Sequence, residues 1–356
     1  MDKDKDRFHA LDAVRGMAAL AVLIYHLSGQ KIFPGAWVAV DLFFVLSGFV
    51  IHHSYQNRLE RGMGIGEFMT LRLIRLAPLY WLALMIGAFT FVLDKPDTGM
   101  ADLAEMTVRG ALWMPRLSDL PWPFNATPAA TEQRIFPLNG PSWSLFFELV
   151  VNVLFFYLGA RWLKGHARWL LLAGLIALAV FTVVSGEFNP GWGGHGALLG
   201  LLRVTTEFHV GVLIHQHRHR FSGFSSAQRC LCIGVVFLGF LPYSKYLAMA
   251  NAMIVAPVAI ALACGLILAG PWRRWATLLG ELSYPLYITH APIQRGLSSF
   301  EHIRTLSLVP RVVVVALICI LAAWLASRLD ARVRQVLMAR MRSRRQTALA
   351  TLESQR

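Results

Sequence analysis

Arg15 and His26 stand eleven residues apart in the stretch LDAVRGMAALAVLIYHLSGQ (residues 11–30), with ten mostly apolar residues between them. Histidine takes and returns a proton near neutral pH, and it can itself accept an acyl group. Arginine presents a planar fork of donors that suits phosphate oxygens. On a helix, eleven residues make three turns plus about 20° and a rise of about 16 Å. The two side chains therefore share one face, one near each end. A polar stripe on a helix in lipid needs a bundle interior or a water-filled cavity to face.

Other polar residues fall into two layers. TLRLIRLAPLYW places Arg72 and Arg75 one turn apart. With Arg15 they make three guanidiniums at the inner mouth, suited to phosphates or to topological anchoring. VAVDLFFVLSGFVI carries Asp41 and PSWSLFFELVVNVLFF carries Glu148, both expected near the level of His26. A carboxylate bonded to one imidazole nitrogen fixes the tautomer and raises the basicity of the other; either carboxylate could equally be a structural anchor. In LLRVTTEFHVG, Arg203 and Glu207 are four apart and can neutralise each other, a structural role before a catalytic one. In GELSYPLYITHAPI, Ser283, Tyr287 and His290 recur at i, i+4 and i+7 and line one face, either of a substrate tunnel or of a polar helix contact.

The elements that must position these residues are membrane helices. Of 356 residues 56% are hydrophobic and 15% charged, against roughly 25% charged in soluble domains, and the mean hydropathy is +0.52. The expected fold is an all-α integral membrane protein of about ten spans, at about 9–28, 36–55, 73–93, 142–160, 168–185, 196–215, 229–243, 246–269, 276–297 and 309–328. Pro257 is expected to kink the eighth. Lys and Arg gather in alternate connections (Arg58 and Arg61; Arg161, Lys164 and Arg168; Arg218, Arg220 and Arg229; Arg273 and Arg274), which puts both termini in the cytoplasm. The same clustering argues against nucleic acid as the partner of the +14 net charge. No small-residue cleavage site follows YHLSGQ, so the first apolar run reads as a retained helix and not a signal peptide. Residues 1–328 form one membrane domain with a long outer loop, rich in Pro and Trp, at about 94–141; 329–356 form a basic cytoplasmic tail. Loops of that length are binding loops, lids or disordered. The four cysteines show no metal-binding or disulfide spacing, and no metal is expected.

There is no P-loop, GxSxG elbow, HExxH or GxGxxG, which removes support for ATP-driven transport and serine-esterase chemistry. An inner phosphate-binding mouth and an outer histidine some 16 Å apart suit acyl-coenzyme A, its phosphates on the arginines and its pantetheine arm reaching toward His26. On the quoted motifs LDAVRGMAALAVLIYH, VAVDLFFVLSGFVI, RLIRLAPLYW, SWSLFFELVVNVLFF, LLRVTTEFHVG and LGELSYPLYITHAPI, in this order over residues 8–328, the chain resembles the acyltransferase-3 family of membrane O-acyltransferases.

The resemblance implies a catalytic His26 with Arg15 as its motif partner, Arg72 and Arg75 binding or admitting the acyl-CoA, and a functional Glu148. Asp41, Arg203, Glu207, Tyr284 and His290 match family positions of less defined role. It implies the form without an appended SGNH-type esterase domain. No permanently bound cofactor is implied; acetyl-CoA is the co-substrate. The expected acceptor is a hydroxyl of a surface polysaccharide, lipopolysaccharide or glycolipid sugar, and the expected site is the bilayer of a bacterial inner membrane. A separate polysaccharide-assembly protein could complete the transfer. The rival from another class is an exporter of an anionic metabolite or glycan that makes no bond; no convincing repeat between the two halves supports it.

Overall fold

The computed structural model describes residues 7–116, 134–162, 167–185, 190–193, 196–241 and 244–354. Among them the chain is helical, with one isolated β-bridge between Arg134 and Gly193 and no strand. The principal helices are α1 (His9–Leu27), α2 (Ala39–Glu60), α3 (Ile65–Asp94), α4 (Met100–Ala111), α5 (Ser142–Trp162), α6 (Ala167–Ser185), α7 (Ala197–His217), α8 (Ser226–Leu238), α9 (Lys245–Ala263), α10 (Gly270–Ser298) and α11 (Leu308–Ser354).

A helix occupies each of the ten expected positions. Six of them (α1, Ala36–Glu60 with α2, α3, α7 extended to Phe221, α9 and α11) are long and apolar enough to cross a bilayer. Three more are shorter apolar helices, at Ser142–Tyr157, Leu171–Val184 and Ser226–Leu238. The tenth, α10, has the length, but its charged N-terminal turns and its Ser, Tyr and His dilute its hydropathy. The molecule is thus a helical membrane protein.

The structure adds three features to these expectations. The 94–141 segment is not all loop: α4 gives it a twelve-residue amphipathic helix, while residues 117–133 lie outside the described residues. The eighth span changes its hydrogen-bond ladder to a wider π-type turn at Asn251–Val255, immediately before Pro257, whose missing N–H the ladder must accommodate. The basic tail continues the last span as helix. It prolongs α11 to 47 residues, about 70 Å of helix where a hydrocarbon core is about 30 Å thick.

Two parallel helix pairs organise the bundle. In the first, α1 lies along α10, with Gly16 seated on Leu279 and the Gln294 side chain donating to the His26 carbonyl at 3.0 Å. α3 runs the same way: Tyr284 donates to the Leu76 carbonyl at 2.6 Å, and Gly296 lies beside Thr90. In the second pair, α2 and α7 meet through glycines. A Cβ on Gly48 would fall on the Phe208 carbonyl, and one on Gly211 on the Val45 carbonyl. Small residues let helix backbones approach this closely where lipid offers no hydrophobic drive. Gly48→Val is therefore expected to force the pair apart, at about 1–3 kcal/mol; a lowered melting temperature in detergent checks it, and an unchanged one refutes the close approach.

Candidate active site

The arginine layer is built on α1, α3 and α10. Arg15 donates to the Gly280 carbonyl at 2.8 Å and pairs with Asp12 at 2.9 Å, and Asp12 also takes Arg7 at 2.6 Å. Arg72 pairs with Glu148 at 2.5 Å, and the same carboxylate oxygen accepts from Ser47 of α2 at 3.0 Å. Arg75 lies 6.0 Å over the Tyr284 ring and has no ion pair among the described residues. Its charged neighbours are Arg15 and, from α11, Arg334 and Asp330, which pair with each other at 2.7 Å. The three predicted arginines are brought to one end of the molecule, two held by carboxylates and one left to an aromatic face.

The second layer, at the other end of α1, surrounds His26. Its ring is exposed at the end of α1 and lines a cavity of about 1180 Å³. Trp37, Trp143 and Trp192 line the same cavity, as do Asp94, Asp97 and Asp102. Arg295 holds the 134–141 segment against α10 by donating to the Leu138 and Pro137 carbonyls, each at 3.0 Å, and Asn139 donates to the Ile288 carbonyl at 2.9 Å. Tyr287, also at the cavity wall, shares a 2.9 Å hydrogen bond with Ser144. His290 is buried next to His26, the ring centroids 5.2 Å apart.

The expected orienting of His26 by Glu148 or Asp41 is not what the structure holds. Glu148 belongs to the arginine layer. Asp41 takes Arg203 with both oxygens, at 2.6 Å each, in a pair with no exposed surface. For Glu148 the reason is depth, since it lies at the level of Arg72; for Asp41 it is azimuth, since α1 turns its polar stripe to α10 whereas Asp41 turns to α7. For the same reason Arg203 is neutralised chiefly by Asp41, with Glu207 farther off at 3.8 Å. Arg203 also donates to the Pro190 carbonyl at 3.1 Å and lies 5.9 Å over the Trp143 ring. Ser283 is turned onto its own helix, donating to the Gly280 carbonyl at 2.8 Å.

Sequence reasoning missed the serines, Ser47 and Ser144, although Ser144 stands one turn before Glu148 and Ser47 less than two turns after Asp41. It also placed His290 on a tunnel face without pairing it to His26. The cavity's carboxylates come from the end of α3 (Asp94), the short connection (Asp97) and the first turn of α4 (Asp102).

Chemically, the arrangement offers a guanidinium layer at one end of α1 and a solvent-facing imidazole at the other. Comparison with known proteins adds the family. Residues 8–328 match the model of the acyltransferase-3 family, described as an acyltransferase domain. Protein 2 of the picA locus of Rhizobium radiobacter is 37% identical over 195 residues, which are 51% of this chain and 97% of that one. YrhL of Bacillus subtilis (strain 168), named provisionally as a peptidoglycan O-acetyltransferase, is 25% identical over 80% of this chain and 48% of its own. The O-acetyltransferase OatA of Staphylococcus aureus is 36% identical over 24% of this chain and 15% of its own. The chain thus spans about half of YrhL and less of OatA. No solved structure matches.

Proposed function

The chain belongs to the acyltransferase-3 family, and on that premise we propose that it is a membrane O-acyltransferase moving a short acyl group, acetyl, from cytoplasmic acyl-CoA to a hydroxyl of a carbohydrate. In this reading ten segments cross a bacterial cytoplasmic membrane, both termini face the cytoplasm, and residues 1–328 form the membrane domain. The observation that carries it is the pair of environments joined by α1: Arg15 in the arginine layer at one end, His26 open to a large cavity at the other.

The donor's phosphates bind at Arg15, Arg72 and Arg75. Arg75 is the foremost of these, because its guanidinium is not already committed to a carboxylate. The pantetheine arm follows the polar face of α1 upward. The acceptor enters the outer cavity, where indole faces suit the C–H surface of a sugar ring and carboxylates accept from its hydroxyls. His26 takes the hydroxyl proton, the oxygen attacks the thioester carbonyl, the C–S bond breaks, and the imidazolium returns the proton to the coenzyme A thiolate.

Equilibrium binding of coenzyme A to the purified protein tests this. Arg75→Ala is expected to weaken binding about 10- to 100-fold, the worth of one hydrogen bond to a charged group, with no loss of folded protein. Arg72→Ala adds a second penalty, since it strands Glu148. If wild type does not bind coenzyme A, the donor assignment fails and the arginines serve topology or an exported anion.

A further inference from the structure

His290 is held in one tautomer by its surroundings. Its Nδ1 faces two carbonyl oxygens, Tyr287 at 2.7 Å and Leu286 at 3.2 Å. Carbonyls only accept, so Nδ1 carries the hydrogen and Nε2 carries the lone pair. That Nε2 is buried and has no hydrogen-bond partner, in a side chain with 1% of its surface exposed. A buried acceptor left unmatched is costly and calls for an explanation.

The neighbouring group that can supply one is His26. The two rings lie 5.2 Å apart with 30° between their planes. Elsewhere in this molecule, His52 and His215 share a 2.8 Å nitrogen–nitrogen hydrogen bond at a centroid separation of 4.9 Å. His53 and His215 share one of 3.1 Å at 5.1 Å. The His26–His290 separation is therefore that of imidazoles able to bond edge to edge once one ring turns. α1 and α10 are fixed relative to each other at this level by Gln294 on the His26 carbonyl, so the turn needed is one of the exposed His26 side chain alone. Glu148 and Asp41, the carboxylates expected from the sequence to serve His26, are committed to arginines.

We propose that His290 is the positioning partner of His26: an N–H of His26 donates to His290 Nε2, which leaves the other His26 nitrogen as the base facing the cavity. This rests on the reading of His26 as general base. When the acceptor hydroxyl gives up its proton, His26 holds it as an imidazolium, with one N–H bonded to His290. The proton then leaves with the coenzyme A thiolate, and His26 returns to neutrality. His290 neither gains nor loses a proton in the cycle. It fills with a neutral acceptor the place that a carboxylate takes beside many catalytic histidines.

The test is steady-state kinetics of acyl transfer by the full-length protein with acetyl-CoA, for His290→Leu, His290→Gln, His26→Ala and the double variant His26→Ala/His290→Leu. His290→Leu is expected to lower kcat about 10- to 100-fold, the worth of one hydrogen bond to a charged group, with the KM for acetyl-CoA and the coenzyme A affinity unchanged. His290→Gln, which keeps an acceptor oxygen near the Nε2 position, is expected to retain most of kcat. The double variant should be no slower than His26→Ala, because His290 acts only through His26. Unchanged kcat in His290→Leu overturns the proposal while an inactive His26→Ala leaves the base assignment standing. Equal loss in Leu and Gln variants, with lowered melting temperatures, also overturns it in favour of a packing role. Should the leucine variant fail to fold, the glutamine variant decides: retained kcat supports the proposal, and loss with unchanged melting overturns it. A fully active His26→Ala overturns the base assignment and this inference together.

Discussion

Asp41→Ala is expected to cost about 3–5 kcal/mol of stability, the usual penalty for stranding one member of a buried ion pair. Arg203 has no exposed surface, and Asp41 binds it through both oxygens at 2.6 Å. Without Asp41 the guanidinium loses both 2.6 Å bonds, and the Pro190 carbonyl, the Trp143 face and a distant Glu207 do not replace them. The pair also joins α2 to α7 just above their glycine contact, so its loss acts where the backbones are closest. Thermal unfolding in detergent, followed by tryptophan fluorescence, checks this. Replacing both partners, Asp41→Ala with Arg203→Leu, is expected to cost less than the sum of the single changes, because no lone cation is then left buried. A melting temperature unmoved by Asp41→Ala would mean that the pair contributes nothing to the fold.

His26→Ala is expected to lower kcat for acyl transfer by about 10²- to 10⁴-fold, the range that a general base supplies. Coenzyme A affinity should stay at the wild-type value. The separation of the two effects follows from α1 itself: the arginine layer lies about 16 Å along the helix from His26, and no arginine of that layer touches the imidazole. His26 is also exposed at the cavity, so its truncation opens no enclosed void in the core. Loss of donor binding in His26→Ala would place the histidine in donor recognition and not in the chemical step.

Much of this was legible in the sequence, for reasons that particular residues make plain. Long apolar runs between basic clusters are a strong signal, and a helix stands at every expected position. The one-face relation of Arg15 and His26 follows from helical period alone, and both lie along α10, the inner at Gly280 and the outer at His290. The arginine layer was legible because Arg72 and Arg75 sit at the same depth as Arg15. What the sequence hides is which helix each polar residue faces. Asp41 and Glu148 were assigned to His26 from depth; Glu148 lies instead at the level of Arg72, and for Asp41 depth leaves azimuth free, since azimuth depends on which helices are neighbours. α4 was hidden for a different reason: a short amphipathic helix in a Pro-rich connection offers too few periods to stand out. The prolonged α11 carries its own explanation, since residues 329–354 contain no Gly or Pro and are rich in Arg, Ala, Leu and Met, all good helix formers.

The central claim is that one site takes its donor from one side of the membrane and delivers to the other. Sealed, inverted membrane vesicles containing the protein test it most directly, with acetyl-labelled acetyl-CoA, which does not cross the bilayer, added outside and a glycan acceptor enclosed. The account predicts label on the enclosed glycan and free coenzyme A outside, both abolished in vesicles carrying His26→Ala. Thioester that stays intact, or label that reaches the glycan only when donor and acceptor share a compartment, would contradict it.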